Sequence, residues 1–216
     1  MNSKNLSRIA LFIKYKTGFE AFTSREYRFF WLAAAFSNIG IWCLGYGRIW
    51  LMHEMTGSTK MVGLVGFFTL SPVLLLSVLG GVLADSRNRL INVRITRMLF
   101  SLLALVTAIL LFYDLINPFL LLTISLCAGI LLALDLPSRA SMLPALVDKR
   151  LLPGAISLYS IVFGASAIIG PLIGAFLITK GSFRSSFIVV VGLLFISILP
   201  LFLTKDKKIN NPKISI

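Results

Sequence analysis

An all-α integral membrane fold with six transmembrane helices is what this sequence predicts, and three observations predict it. Of 216 residues, 57% are hydrophobic and only 13% charged, about half the ~25% charged fraction of a soluble domain. Mean hydropathy is +0.92. Such a chain cannot cover a water-facing surface. Six apolar runs follow one another, each near the ~20 residues that a helix needs to cross the hydrocarbon. When these runs are threaded back and forth, 17 of the 21 Lys and Arg fall on one side. Helices are required, because an isolated strand would leave backbone groups unpaired in lipid, and there is no β-barrel alternation.

Residues 1–28 carry Lys4, Arg8, Lys14, Lys16, Arg25 and Arg28 with interleaved Leu6, Ile9, Phe12, Phe19 and Phe22. This mixture suits a cytoplasmic segment lying partly on the lipid surface. The apolar run behind it is too long for a cleaved signal, so the first span is expected to stay as an anchor. The spans are expected at 29–51, 61–83, 91–113, 118–136, 154–179 and 183–204, forming a bundle over 29–204, with a polar cytoplasmic tail at 205–216. Arg94 and Arg97 open the third span and are expected to snorkel to the inner interface. The second and third spans, like the third and fourth, join tightly. The connection between the fourth and fifth is longer, contains Arg139, Pro144, Asp148, Lys149, Arg150 and Pro153, and is apolar enough over 140–147 to lie in the inner interface. This long connection is read as dividing the helices three and three. The basic side is the cytoplasmic one. Both termini therefore lie there, and the protein is a multi-pass protein of the cell's inner (plasma) membrane.

The net charge of +13 does not indicate nucleic acid, because the cations sort by membrane side rather than forming a groove or stripe. Cys43 and Cys127 both lie inside apolar runs and read as small packing residues. No phosphate-binding glycine loop, paired-His metal motif or nucleophile elbow is present, so an enzyme, a metal site and a cofactor are not expected.

The hairpin between the second and third spans holds Gly81, Asp85 and Arg89. This resembles the loop signature of the major facilitator superfamily, in which a glycine, an aspartate and an arginine stand at these intervals. Ser86 and Leu90 stand where basic residues are usual. Further matches run along the chain, at Phe19-Glu20-Ala21-Phe22, at Arg25-Glu26-Tyr27-Arg28-Phe29, at Ser37-Asn38-Ile39-Gly40, at residues 51–58, at Pro137-Ser138-Arg139-Ala140 and at residues 143–147. In the fifth span, Gly164 followed by Gly170-Pro171-Leu172-Ile173-Gly174-Ala175 is similar to the Gly-Pro motif of facilitator antiporters, with Ala175 replacing the usual final glycine. Together these cover residues 19–204, and the likeness is to the macrolide-efflux and siderophore-exporter branch.

The resemblance implies a 3+3 inverted-repeat bundle, half of a facilitator fold. It implies that Asp85 locks against a second half, that Arg89 pairs with an acid at the inner end of the fourth helix, here Asp135, and that the kinked fifth helix shapes the cavity. Read from spacing alone, Asp135 and Arg139 are four apart and can pair on one helix face. Gly170 and Gly174 permit close helix approach, and Pro171 frees a carbonyl. Asn38, Trp42 and Gly45 share a face of the first helix, with Arg48 toward its outer end. Together they read as a substrate pathway or as packing, with Arg48 alternatively snorkelling outward. No carboxylate is expected near the midplane. His53, the only histidine, falls at the outer interface, so proton coupling has no evident carrier.

The family has twelve helices and this chain six. The expected function is the N-terminal half of an exporter of a drug-like or siderophore-like small molecule, working by alternating access when paired with a second half or with itself. Two alternatives stand beside it: a truncated, inactive remnant of an exporter, and a non-transporting membrane interaction or assembly protein.

Overall fold

The computed structural model describes residues 19–86 and 89–204, with the backbone alone for 78–86. Six helices follow a single 3₁₀ turn at Glu20–Thr23: α1 Arg25–Thr56, α2 Thr59–Ser86, α3 Arg89–Phe112, α4 Pro118–Leu146, α5 Leu152–Lys180 and α6 Phe183–Leu203. All six are long and apolar enough to cross a membrane. Their starts are written in the sequence. Ser24 accepts from the Tyr27 amide to cap α1, Asn117 accepts from the Leu120 amide to cap α4, and Ser182 with Ser185 forms a capping box on α6. Each cap satisfies amides that have no partner within the helix. Gly57, at φ +59°, closes α1 in the left-handed conformation that a side chain disfavours.

Hydrophobicity does not decide which helix faces turn inward, because Leu74, Leu75, Phe119 and Leu172 are all exposed. Lipid is as apolar as leucine, so small and polar residues mark the packed faces instead. Ser37, Ser101, Ser125, Ser166 and Ser197 are buried, and each hydroxyl donates to a carbonyl three or four residues back on its own helix. Two apolar clusters show that the helices alternate in direction. One joins the start of α1 and α3 to the end of α4 and α6, through Tyr27, Phe30, Val93, Met142, Leu146 and Leu201. The other joins the end of α1 and α3 to the start of α4 and α6, through Leu51, Met52, Leu111, Leu121 and Phe187. The first end carries the α2–α3 and α4–α5 connections and is called the basic end; the other is the distal end.

The packing has internal symmetry. α1 packs chiefly on α5 and α6, and α4 chiefly on α2 and α3, while α3 and α6 pack on each other. Exchanging α1–α3 for α4–α6 maps the α1 pairs onto the α4 pairs and the α3–α6 pair onto itself, which is the 3+3 arrangement of an inverted repeat. The divide falls at the short α3–α4 turn, not at the long connection from which the sequence reading inferred it. Closest approaches obey the same exchange. A Cβ on Gly170 of α5 would meet Trp42 Cβ at 2.7 Å and Ile39 O at 2.8 Å on α1. A Cβ on Gly129 of α4 would meet the Thr69 carbonyl, Phe68 O at 2.9 Å and Pro72 Cγ at 3.0 Å on α2.

One span departs from expectation. α4 continues ten residues beyond position 136, through Pro137 and Pro144. Proline removes one amide and frees one carbonyl, and a buried helix tolerates this where neighbours supply donors. The carbonyls freed are those of Ala133 and Ala140; the donors seen here serve their neighbours, Ser138 Oγ donating to Leu134 O at 2.8 Å and Arg89 Nη1 to Ser141 O at 3.1 Å. Met142, Leu143, Leu146 and Val147 are buried in the basic-end cluster and Ala145 is buried as well, so this stretch is not laid in the interface. The ranges 1–18 and 205–216, expected as most of the surface-lying segment and as the polar tail, lie outside the described residues.

Candidate functional site

Two features could carry function, a buried ionic cluster toward the basic end and an open aromatic face toward the distal end. The cluster is centred on Asp135, which is fully buried. Its Oδ1 accepts from Thr96 Oγ1 at 2.8 Å. Its Oδ2 accepts from Arg97 Nη2 at 3.2 Å. Arg139 Nε lies 2.8 Å from the same oxygen; it is at ion-pair distance but off the hydrogen-bond direction, so its own hydrogen bond is unmade. Arg139 Nη1 in turn donates to Asn38 Oδ1 at 2.5 Å. The cluster thereby fastens α1, α3 and α4 together, as buried ionic groups must be paired and bonded to be tolerated.

The expected partnerships are partly revised. Asp135 and Arg139 do pair one turn apart, as their spacing predicts. Arg89 is not the partner of Asp135: it donates to the Ser141 carbonyl, and Arg97, two turns deeper in α3, takes the carboxylate. Arg97 is therefore 3% exposed and does not snorkel. The side chain of Asp85 and the surroundings of Gly81 lie outside the described residues. Arg94 also turns inward from lipid, donating from Nε to Leu201 O at 3.2 Å and from Nη2 to Thr204 O at 2.8 Å, so it caps the C-terminus of α6.

The proposed pathway residues on α1 differ in burial. Asn38 belongs to the ionic cluster. Arg48 is 5% exposed and does not snorkel outward; its one-turn neighbours Leu44 and Met52 belong to the distal apolar cluster, and its Nε has no partner. Trp42, by contrast, is 39% exposed and meets Phe163 edge-on at 6.1 Å. Gly45 has open space where a Cβ would stand. Along this face Tyr46, Ile49, Trp50 and His53 join Thr59 and Val62 of α2 around a groove of about 410 Å³. Tyr46 and Trp50 pack edge-on at 5.6 Å, and Trp50 Nε1 donates to Glu54 Oε1 at 3.1 Å. A concave apolar wall with a few polar atoms is the usual form of a small-molecule site.

The fifth-helix motif divides likewise. Gly170 and Gly174 sit against α1, where a Cβ on Gly174 would lie 3.1 Å from Cys43 Sγ, whereas Gly164 faces open space. Pro171 lies within an unbroken helical span. Gly129 was missed. Its signal is the series Ser125, Gly129, Ala133, small residues one turn apart on a buried face. Among the described residues no three His, Cys, Asp or Glu side chains gather as a metal site.

Comparison with known proteins agrees with this architecture. The family model of transmembrane secretion effectors matches residues 16–214. The staphyloferrin A transporter of Staphylococcus aureus is 28% identical over 176 residues, which are 80% of this chain and 44% of the relative. The chain thus spans less than half the length of that relative. With a family match over nearly all of its length and a six-helix inverted repeat, the chain belongs to the transmembrane secretion effectors of the major facilitator superfamily.

Proposed function

We propose that this chain is the N-terminal six-helix half of a facilitator-type exporter and works by alternating access when paired with a second six-helix half. The substrate is a drug-like or siderophore-like small molecule, the latter in line with the relative's name. The observation that carries this reading is the face of α1 holding Trp42, Tyr46, Trp50 and His53, which the bundle's own helices cover only in part. It has the makings of half a cavity wall, aromatic and concave, and a second bundle rocking against it would complete the site. In this reading the basic end is cytoplasmic, the protein sits in the plasma membrane, and the ionic cluster of Asp135, Arg97 and Arg139 holds that end rigid as the halves move. Asp85, in the hairpin, locks against the second half.

The test is export from liposomes or cells containing this chain alone and this chain with a second half. Transport is expected only from the pair, and Trp42→Ala or Trp50→Ala is expected to lower it several-fold without loss of membrane insertion. Asp85→Asn is expected to slow it in the same way. A well-inserted pair that moves neither hydrophobic drugs nor siderophores above the empty control would sink the reading, leaving the inactive remnant or the assembly protein.

A further inference from the structure

The ionic cluster does not balance. Arg97 and Arg139 bring two positive charges, since a guanidinium does not deprotonate in proteins, and Asp135 brings one negative. All three side chains are at most 4% exposed, and no second carboxylate among the described residues pairs with either arginine. Arg97 Nη1 is buried without a hydrogen-bond partner, as is Nδ2 of Asn38, whose Oδ1 holds Arg139. Both arginines line a small cavity of about 10 Å³ together with Ser37 and Ser197, under an apolar cover that includes Phe30 and Leu201. That volume is at the lower limit for one water, so a larger monatomic ion fits only with a slight outward shift of the apolar cover.

We propose that this cavity binds a single monatomic anion, chloride or another halide, as the missing counter-charge. A water could accept from Arg97 Nη1 but would leave a unit of positive charge buried in a low-dielectric bundle, which is costly. A halide satisfies the free N–H and the charge at once, and it leaves the site neutral. Phosphate, sulfate or a substrate carboxylate is too large for the space. The ion would sit among α1, α3, α4 and α6, and so would tie the two repeats of the bundle together at the basic end. This inference does not depend on transport.

Thermal unfolding of the purified chain in detergent, at constant ionic strength, tests it. Replacing sodium gluconate by sodium chloride or bromide is expected to raise Tm in a saturable way, as a ligand that binds only the folded state does. Sulfate is expected to have no such effect. Arg97→Gln removes the surplus charge and the free donor, and is expected to abolish the halide dependence. Ala34→Val fills the cavity wall without touching a charge and is expected to weaken it. Identical Tm values in gluconate and chloride at every concentration would mean that water fills the cavity, and would overturn the proposal. So would a rise shared by all salts, or one that Arg97→Gln leaves unchanged.

Discussion

At the basic end, Arg94 in the first turns of α3 donates to the last carbonyls of α6. At the distal end, Arg184 in the first turn of α6 donates from Nε to Leu111 O, among the last carbonyls of α3, at 3.1 Å, and from Nη2 to Asp114. The two devices are related by the exchange that relates the repeats: each helix caps the other's C-terminus. Their settings differ. Arg94 works one turn from Arg97 of the buried ionic cluster and packs over the Phe202 ring at 5.2 Å, and the cluster's arginines line a cavity of about 10 Å³. The Arg184 side chain is about half exposed and that of Asp114 largely so, and both line a groove of about 500 Å³. Charges at one end are thus shielded from lipid and water, while the other is held by a pair open to its surroundings. A repeat can share backbone geometry at both ends and still bury its charges at one and expose them at the other.

The most severe way to break this contrast is Asp135→Ala. It leaves Arg97 and Arg139 buried and unpaired, and is expected to cost about 3–5 kcal/mol, read as a fall in the SDS fraction needed for unfolding in mixed micelles. Gly129→Leu comes next, because its side chain would have to enter the backbone of α2. The overpacking cost is about 1–3 kcal/mol, and Gly164→Ala, facing open space, is the control expected to show no loss. Arg94→Gln removes charge-assisted bonds from carbonyls at a helix end and is expected to cost about 1.5–3 kcal/mol. Arg184→Gln is the smallest, at about 0–1 kcal/mol, since exposed ion pairs contribute little and salt screens them. Equal losses for Arg94→Gln and Arg184→Gln would erase the difference between the two ends.

Much of this architecture is legible in the sequence. The six spans follow from hydropathy alone, because a helix is the only lipid-compatible form for an isolated apolar run. The pairing of Asp135 with Arg139 follows from a separation of four. The role of Arg97 does not, since its partner lies 38 positions away on another helix, and a basic residue near a span end ordinarily reaches for the interface. The continuation of α4 past Pro137 was hidden for another reason. Proline is a local stop signal, and what overrides it here is tertiary: residues 142–147 have a core to enter. Gly129 escaped notice because it stands apart from any proline motif, although Ser125 and Ala133 flag the same face.

The cap formed by Arg94 also bears on how the chain is made. Its acceptor at Leu201 is 107 positions further along, which at ~5–20 residues per second of synthesis is a delay of roughly 5 to 20 s. Through that interval Arg94 is already at the membrane while the helix it caps has not yet been translated. Headgroup phosphates are the natural temporary hosts for a guanidinium at that depth. Once α6 is inserted, the Leu201 and Thr204 carbonyls take the place of any such host.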